Sequence, residues 1–217
     1  MANAAVLLIV LLLAHVSATR VDAAALGPTL SPGQSLGAND TLVSANGTFV
    51  LAFFSPRGGD PGRRYLGVMY ARAAEQTVPW VANRDAPVSA ATSAYSAAVT
   101  ADGELQVLEG NRVAWRTNTS ISASSSPPGN VTLTLLDSGN LVLESGGGRA
   151  QQVTLWQSFE HPSDAFLPGM RIALYWRKGG GGPVKRTLFT SWRSAGDFTL
   201  GLDPLGSLQL YIWESRS

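Results

Sequence analysis

The stretch Asp137-Ser138-Gly139-Asn140-Leu141-Val142-Leu143, followed by Leu155-Trp156-Gln157-Ser158, contains the unit that decides the fold. Its first part has turn residues that tolerate a positive φ, and the apolar run after the turn is typical of a strand packed on both faces. A second short strand then ends in a tryptophan. The unit therefore predicts a turn, a strand, a second turn and a strand that carries an indole.

The same unit occurs twice more, upstream. Gly103-Glu104-Leu105-Gln106-Val107-Leu108 precedes Val113-Ala114-Trp115-Arg116-Thr117-Asn118, and Arg64-Tyr65-Leu66-Gly67-Val68-Met69-Tyr70 precedes Val78-Pro79-Trp80-Val81-Ala82-Asn83. The three tryptophans are spaced by 35 and 41 residues. A period of this size indicates repeated supersecondary units. We expect an all-β chain in which the three indoles form the structural core on a pseudo-threefold axis.

The composition narrows the classes of function. The chain has 217 residues, a hydrophobic content of 45% and a net charge of +1, which fit a globular protein and give no reason to expect nucleic acid or an anionic membrane as partner. Cysteine is absent, so disulfides, thiolate catalysis and cysteine zinc sites are excluded. Of the two histidines, only His161 lies outside residues 1–23, the expected signal peptide. We therefore expect no metal, no cofactor and no histidine-based catalytic triad.

The N-terminal segment predicts export. Residues 4–14 form an unbroken apolar run that is too short to span a bilayer, and small residues follow at the usual cleavage positions. We interpret residues 1–23 as a signal peptide, with cleavage near Ala18 or Ala23. The mature chain is then expected to be soluble and secreted, without a membrane span.

A glycine tract at residues 179–182 predicts a domain boundary. We assign residues 26–178 to the repeat-containing domain and residues 184–217 to the start of a second, incomplete β module. Residues 197–202 and 207–213 alternate apolar and polar side chains on either side of a turn, so they predict a hairpin. Trp176, Trp192 and Trp213 are expected to matter less to the first domain.

Several segments together carry a resemblance to a known family. They are the three repeats, the run from Leu155 to Asp164, the segment Val81-Ala82-Asn83-Arg84-Asp85-Ala86-Pro87 and Leu167-Pro168-Gly169-Met170. The chain resembles the bulb-type (monocot mannose-binding) lectin domain of plant G-type lectin S-receptor-like serine/threonine kinases and S-locus glycoproteins. The resemblance implies a threefold β-prism. It also implies a chain truncated before the cysteine-rich, transmembrane and kinase parts, and therefore no enzyme activity.

The resemblance further implies a mannose motif, Gln-x-Asp-x-Asn-x-Val-x-Tyr, once per repeat. The aligned positions are Gly62, Arg64, Leu66, Val68 and Tyr70 in the first copy, Thr100, Asp102, Glu104, Gln106 and Leu108 in the second, and Leu136, Ser138, Asn140, Val142 and Glu144 in the third. No copy keeps Gln, Asp, Asn and Tyr together. The degenerate candidates for carbohydrate binding are Arg64, Tyr70, Asp102, Glu104, Ser138, Asn140 and Val142. Asp102 and Asn140 are equally explained as residues that their turns require.

Four acceptor sequences predict N-glycosylation, at Asn39, Asn46, Asn118 and Asn130. Asn118 and Asn130 flank a Ser/Pro-rich segment at residues 120–128 and are expected to be the most accessible. Asn46 lies in a tight turn, where we expect poorer modification.

The leading hypothesis is an extracellular recognition module that binds a glycan or a cell-surface protein, as family members do in pollen recognition and defence. A homodimer or a partner receptor is part of this hypothesis, with residues 57–64 and 120–128 as the contact surface. The alternative is a secreted mannose-binding defence or storage lectin. A glycosidase using Asp102 with Glu104, or Asp137 with Glu144, is less well supported, because both pairs read as turn or solvent-facing residues.

Overall fold

The computed structural model describes residues 25–92, 94–119, 130–146, 152–176, 183–192, 198–203, 205, 207 and 209–214. In this part of the chain the regular structure is β, apart from one short 3₁₀ turn at Ser158–Glu160, which confirms the all-β prediction. None of its helical segments has the length and apolar character needed to cross a membrane. The predicted signal peptide, the Ser/Pro-rich segment and the glycine tract lie outside the described residues.

The strands follow one another along the chain with short connections. In chain order they are β1 (Ala25–Leu26), β2 (Thr29–Leu30), β3 (Ser35–Leu36), β4 (Thr41–Val43), β5 (Phe49–Phe54), β6 (Arg63–Tyr70), β7 (Trp80–Val81), β8 (Val88–Ser89), β9 (Tyr95–Val99), β10 (Leu105–Glu109), β11 (Arg112–Arg116), β12 (Val131–Leu135), β13 (Leu141–Ser145), β14 (Val153–Gln157), β15 (Leu174–Trp176), β16 (Pro183–Arg186), β17 (Leu188–Thr190), β18 (Phe198–Leu202) and β19 (Leu210–Glu214).

Three sheets form the body of the protein, one for each sequence repeat. The first has the order β1-β4-β5-β6-β7, with β8 also paired to β6; the second is β11-β10-β9-β3, and the third is β14-β13-β12-β2. The short N-terminal strands β1, β2 and β3 each join a different sheet, so the start of the chain ties the three sheets together. This arrangement is the threefold β-prism.

The tryptophan of each repeat occupies the same place in its sheet. Each lies on the last strand of its unit and is paired with an inward-facing residue of the neighbouring strand: Trp80 with Val68, Trp115 with Val107 and Trp156 with Leu143. In the second and third sheets a register shift follows this pair directly. The indoles meet at the centre with ring centroids 5.6–6.3 Å apart, all in edge-to-face contact.

A fully buried leucine stands two residues before the tryptophan's partner in every repeat: Leu66, Leu105 and Leu141. The backbone N–H of each leucine donates to a polar side chain that follows the tryptophan, at 2.8 Å to Asn83 Oδ1, 3.2 Å to Thr117 Oγ1 and 2.9 Å to Ser158 Oγ. A buried N–H without an acceptor is costly, so these side chains complete the ladder where the strand pairing stops.

A second, smaller cluster covers the outer face of the first sheet. It consists of Phe54, Tyr65, Val78, Val81 and Trp192, all buried. The indole of Trp192 makes edge-to-face contacts with both aromatic rings of the sheet, at centroid distances of 5.3 and 6.0 Å. Trp192, which was expected to matter less to this domain than the three core tryptophans, is thus buried against its first sheet. The glycine tract before it gives no sign that the chain returns to the first sheet.

The C-terminal segment forms two further small sheets, β15-β16 and β17-β18-β19. Strands β18 and β19 pair in antiparallel register, which confirms the predicted hairpin of a partial second β module. The backbone N–H of Thr190 on β17 donates to the carbonyl of Ser163 at 3.0 Å, so this sheet is attached to the prism. Phe198 and Ile212 on the hairpin are exposed.

Candidate functional site

The strand register corrects the sequence alignment of the first repeat. Val68, which the alignment placed at the motif valine, is the partner of Trp80 and so corresponds to Val107 and Leu143. The position equivalent to Gln106 and Val142 is Gly67. The alignment was one residue out, and a slip of one residue moves every side chain to the other face of a strand. All four residues from Tyr65 to Val68 are buried, so the sequence of β6 lacks the alternation of polar and apolar residues that would identify its outer face.

The two first-repeat candidates consequently do not form a site. Arg64 Nη1 donates to the carbonyl of Pro61 at 2.9 Å and to Ser55 Oγ, which holds the guanidinium against the neighbouring loop. Tyr70 lies at the other end of β6, 37% exposed, with its ring 4.6 Å from that of Phe49. Six residues along a strand separate the two side chains by roughly 20 Å.

The outer face of the first sheet is filled by hydrophobic side chains. Tyr65 and Gly67 hold the positions that correspond to the motif's asparagine and valine, and Trp192 packs on the tyrosine ring. A Cβ on Gly67 would lie 2.7 Å from a ring carbon of Phe54 and 2.9 Å from the carbonyl oxygen of Trp80. A saccharide has no room on this face.

The second repeat presents an open polar surface. Asp102 is exposed in the turn before β10. The half-buried carboxylate of Glu104 accepts from Gln106 Nε2 at 3.1 Å and lies 3.9 Å from Arg116 Nη1. The carboxylate is thus already paired with groups of its own sheet.

The third repeat forms a pocket of about 430 Å³. Its lining is Ser138, Asn140, Gln157, Phe159, Glu160, Gly169, Arg171, Tyr175 and Thr187. The structure therefore brings two of the sequence candidates, Ser138 and Asn140, together with polar and aromatic groups from the end of β14 and the segment that follows it. Val142, the second residue of β13, is buried.

The side chain of Asn140 fixes the neighbouring polar groups of this pocket through hydrogen bonds. Its Oδ1 accepts from Ser158 Oγ and from the backbone N–H of Phe159, both at 3.2 Å, and its Nδ2 donates to Gln157 Oε1 at 2.9 Å. Gln157 Nε2 in turn donates to Glu160 Oε1 at 3.0 Å. The amide of Asn140 is 7% exposed, so it acts chiefly as a support that fixes the neighbouring polar groups.

Sequence reasoning missed Gln157, Glu160, Arg171 and Tyr175 as members of this pocket. The first two lie in the run from Leu155 to Asp164 that carried the family resemblance, which was the available signal. The other two follow the motif on the chain by about thirty residues, and no periodicity relates them to it. Arg171 and Tyr175 reach the pocket because the chain returns across the third sheet, a long-range contact that leaves no local sequence pattern.

A larger pocket of about 570 Å³ opens at one end of the prism axis. The three core indoles contribute to its lining, together with Arg84, Asp85, Arg116, Asn118 and His161 among others. Trp80 Nε1 donates to the carbonyl of His161 at 2.9 Å, and the imidazole of His161 stacks on Trp156 at a centroid distance of 5.5 Å. Trp115 is only partly buried, so it is the most exposed of the three core indoles.

The four predicted glycosylation asparagines, Asn39, Asn46, Asn118 and Asn130, are all exposed. Asn46 Oδ1 accepts from the backbone N–H of Thr48 at 2.9 Å, so its side chain is part of the tight turn. Asn118 has a φ of 50° and is the one non-glycine residue with a positive φ in the described part of the chain. Within the same part, no group of three or more His, Asp or Glu side chains is arranged to hold a metal ion.

Comparison with known proteins relates the chain to one group. A family described as D-mannose binding lectin matches residues 77–193. A G-type lectin S-receptor-like serine/threonine-protein kinase of Arabidopsis thaliana is 38% identical over 181 residues, which is 81% of this chain and 19% of the kinase. The S-locus-specific glycoprotein S6 of Brassica oleracea is 36% identical over 194 residues, 85% of this chain and 41% of the glycoprotein. The chain thus spans about a fifth of the kinase and about two fifths of the glycoprotein.

Among solved structures, the monomeric monocot mannose-binding lectins of Gastrodia elata match with a TM-score of 0.43 and 21% sequence identity. The match covers 60% of this chain and 96% of that one.

Proposed function

Because the chain belongs to the D-mannose binding lectin family, we propose that it is an extracellular recognition domain that contacts a glycan through the pocket of the third repeat. One observation carries this proposal. The third copy of the motif lies in a pocket with an ordered row of hydrogen-bonding groups, whereas the first copy lies under a hydrophobic cluster.

The pocket has the chemistry that a saccharide needs. Ser138, Gln157 and Glu160 offer hydroxyl, amide and carboxylate groups, and Arg171 adds a guanidinium, so donors and acceptors for vicinal sugar hydroxyls stand side by side. Phe159 and Tyr175 supply aromatic surface for the apolar face of a sugar ring. The bonds from Asn140 hold Gln157 and Glu160 in place before a ligand arrives, which lowers the ordering cost of binding.

Ordinary mannose affinity is expected to be weakened. At least two polar motif positions are replaced in every repeat, and each unmet hydrogen bond of a buried group costs about 1–3 kcal/mol. Two such losses weaken binding roughly a hundredfold or more, since each 1.4 kcal/mol is a factor of ten. The ligand that suits this pocket is therefore a saccharide with contacts beyond the mannose motif, such as a glycan on a cell-surface protein.

The role that follows is binding rather than catalysis. The relatives are receptor kinases and an S-locus glycoprotein, and in such proteins a lectin domain of this kind would be the part that faces the outside. We propose that this domain contributes to cell-surface recognition, in pollen recognition or defence, with a second copy or a receptor as partner. We further propose residues 1–23 as its signal peptide and residues 26–178 as its main body.

A glycan array tests the proposal. We expect the secreted protein to bind a restricted set of glycans, and Arg171→Ala and Glu160→Gln to abolish that binding. Asp102→Asn is the matched control, because it removes a charge at the second copy of the motif and leaves the third-repeat pocket intact. Strong binding to simple mannosides that is lost in Asp102→Asn would instead identify a secreted mannose-binding lectin of the defence or storage type. An array with no binder would remove glycan recognition altogether.

A further inference from the structure

The axial pocket and the sequon at Asn118 meet at one place. The third-repeat pocket shares Glu160 with the axial pocket and does not include Asn118. Asn118 lines the pocket and directly follows Thr117, which is buried against the second sheet. The hydroxyl of Thr119, the middle residue of the sequon, donates to the carbonyl of Gly103 at 2.6 Å. The residues on both sides of Asn118 are thus attached to the second sheet, and the positive φ between them places the asparagine at a fixed point of the pocket's rim.

We propose that the first N-acetylglucosamine of a glycan on Asn118 occupies this axial pocket, so that the chain's own glycan covers the end of the tryptophan core. In the secretory pathway, Asn118 Nδ2 would attack the anomeric carbon of a lipid-diphosphate-linked oligosaccharide. A C–N bond forms, the C–O bond to the diphosphate breaks, and one amide proton is released. The modification adds a neutral, amphipathic ring next to the partly buried Trp115.

The pocket fits such a ring in size and chemistry. Its volume of about 570 Å³ lies within the range of small-molecule sites. Trp115 presents indole surface to the apolar side of the sugar, since its side chain is only partly buried by the other two indoles. Asp85 and Arg116, both well exposed at the rim, provide an acceptor and donors for the hydroxyl and acetamide groups. Because these two rim charges have opposite signs, the rim favours a neutral ligand over an anion or a cation.

Two readouts on protein secreted from a eukaryotic host test this inference. Mass spectrometry of the peptide that contains Asn118 should show a glycan. After trimming to single sugars with an endoglycosidase, the acetyl methyl resonance of the sugar on Asn118 should be shifted upfield in the NMR spectrum by the indole ring current. The sugar on Asn39, which is exposed and does not line this pocket, provides the reference position.

A third readout is thermal stability. Asn118→Asp prevents glycosylation, and Asp tolerates a left-handed φ as Asn does, so the backbone need not change. We expect it to lower the melting temperature by about 2–4 °C, as loss of one modest contact does in a chain of this size, whereas Asn39→Asp should leave it unchanged. An unmodified Asn118 overturns the proposal. So does a methyl resonance equal to that of the Asn39 sugar, or an equal melting temperature for the two variants. Failure of glycan binding on the array has no bearing on any of these results.

Discussion

At the residue scale, the protein depends on three indoles that differ in burial. Trp80 and Trp156 are 3% and 7% exposed, whereas Trp115 is only partly buried and borders the axial pocket. Each packs its edge against the face of another, a geometry that adds stability beyond the buried area. The spacing of the repeats was sufficient to predict that the three residues belong together. Their unequal burial could not be predicted, because it depends on which end of the axis the connecting loops leave open.

The first prediction concerns these indoles. Trp156→Ala should reduce the free energy of unfolding by about 3–5 kcal/mol, because it removes a buried aromatic ring and leaves a cavity between the sheets. Trp115→Ala should cost less, since part of that indole already faces solvent. Urea denaturation followed by circular dichroism measures both. Equal losses for the two variants, or a Trp156→Ala protein as stable as the wild type, would show that the core is packed differently.

At the element scale, side-chain hydrogen bonds complete the strand ladder beside each core tryptophan. Asn83 is fully buried and carries the most bonds: its Oδ1 accepts from Leu66, and its Nδ2 donates to the carbonyls of Ala86 at 3.1 Å and Arg64 at 3.3 Å. Ser158 bonds Leu141 and Asn140 at the same place in the third sheet. These contacts explain why a small polar residue follows each tryptophan by two or three positions.

The second prediction compares Asn83, whose side chain makes three hydrogen bonds, with Thr117, whose hydroxyl accepts one from Leu105. Asn83→Ala should lower the free energy of unfolding by at least about 1–3 kcal/mol, since it leaves a buried N–H and two carbonyls without partners. Thr117→Val, which keeps the shape and removes one acceptor, should cost less. Chemical denaturation of the two variants side by side gives the comparison. A smaller loss for Asn83→Ala than for Thr117→Val would mean that water replaces the amide.

Alternation and turn residues were enough to predict the strands of the second and third repeats and the C-terminal hairpin. The register of the first repeat was missed, because β6 is buried on both faces and a glycine stands where the others have a side chain. Its inner face packs in the core of the prism, and its outer face is buried because the chain returns and places Trp192 on the outer side of the first sheet. A contact between residues so far apart in sequence leaves no local pattern.

At the scale of the whole molecule, the C-terminal segment gives the three sheets different outer faces. Trp192 in this segment covers the outer face of the first sheet. Arg171, Tyr175 and Thr187 form one wall of the pocket on the third sheet. The prism is therefore threefold in its core and not in its surface. This asymmetry is the physical basis for proposing one glycan contact in place of three.

The third prediction tests the role of that segment. A chain that ends at residue 178 loses Trp192 and should expose Phe54 and Tyr65, so we expect a lower melting temperature and aggregation. A chain that ends at residue 193 keeps the indole and should behave like the full chain. Trp192→Ala in the full chain should reduce the free energy of unfolding by about 3–5 kcal/mol. If the shorter chain is as stable and monomeric as the longer one, the cluster on the first sheet contributes nothing.

The measurement that tests the single-site proposal most directly is an NMR titration of the ¹⁵N-labelled protein with a mannose trisaccharide at millimolar concentration. We expect amide shifts confined to residues 138–140, 157–160 and 169–175, with residues 65–67 and 102–106 unchanged, and no response in Arg171→Ala. Shifts at residues 102–106, equal shifts on all three sheets or an unchanged spectrum would contradict the proposal that the third-repeat pocket alone contacts the sugar.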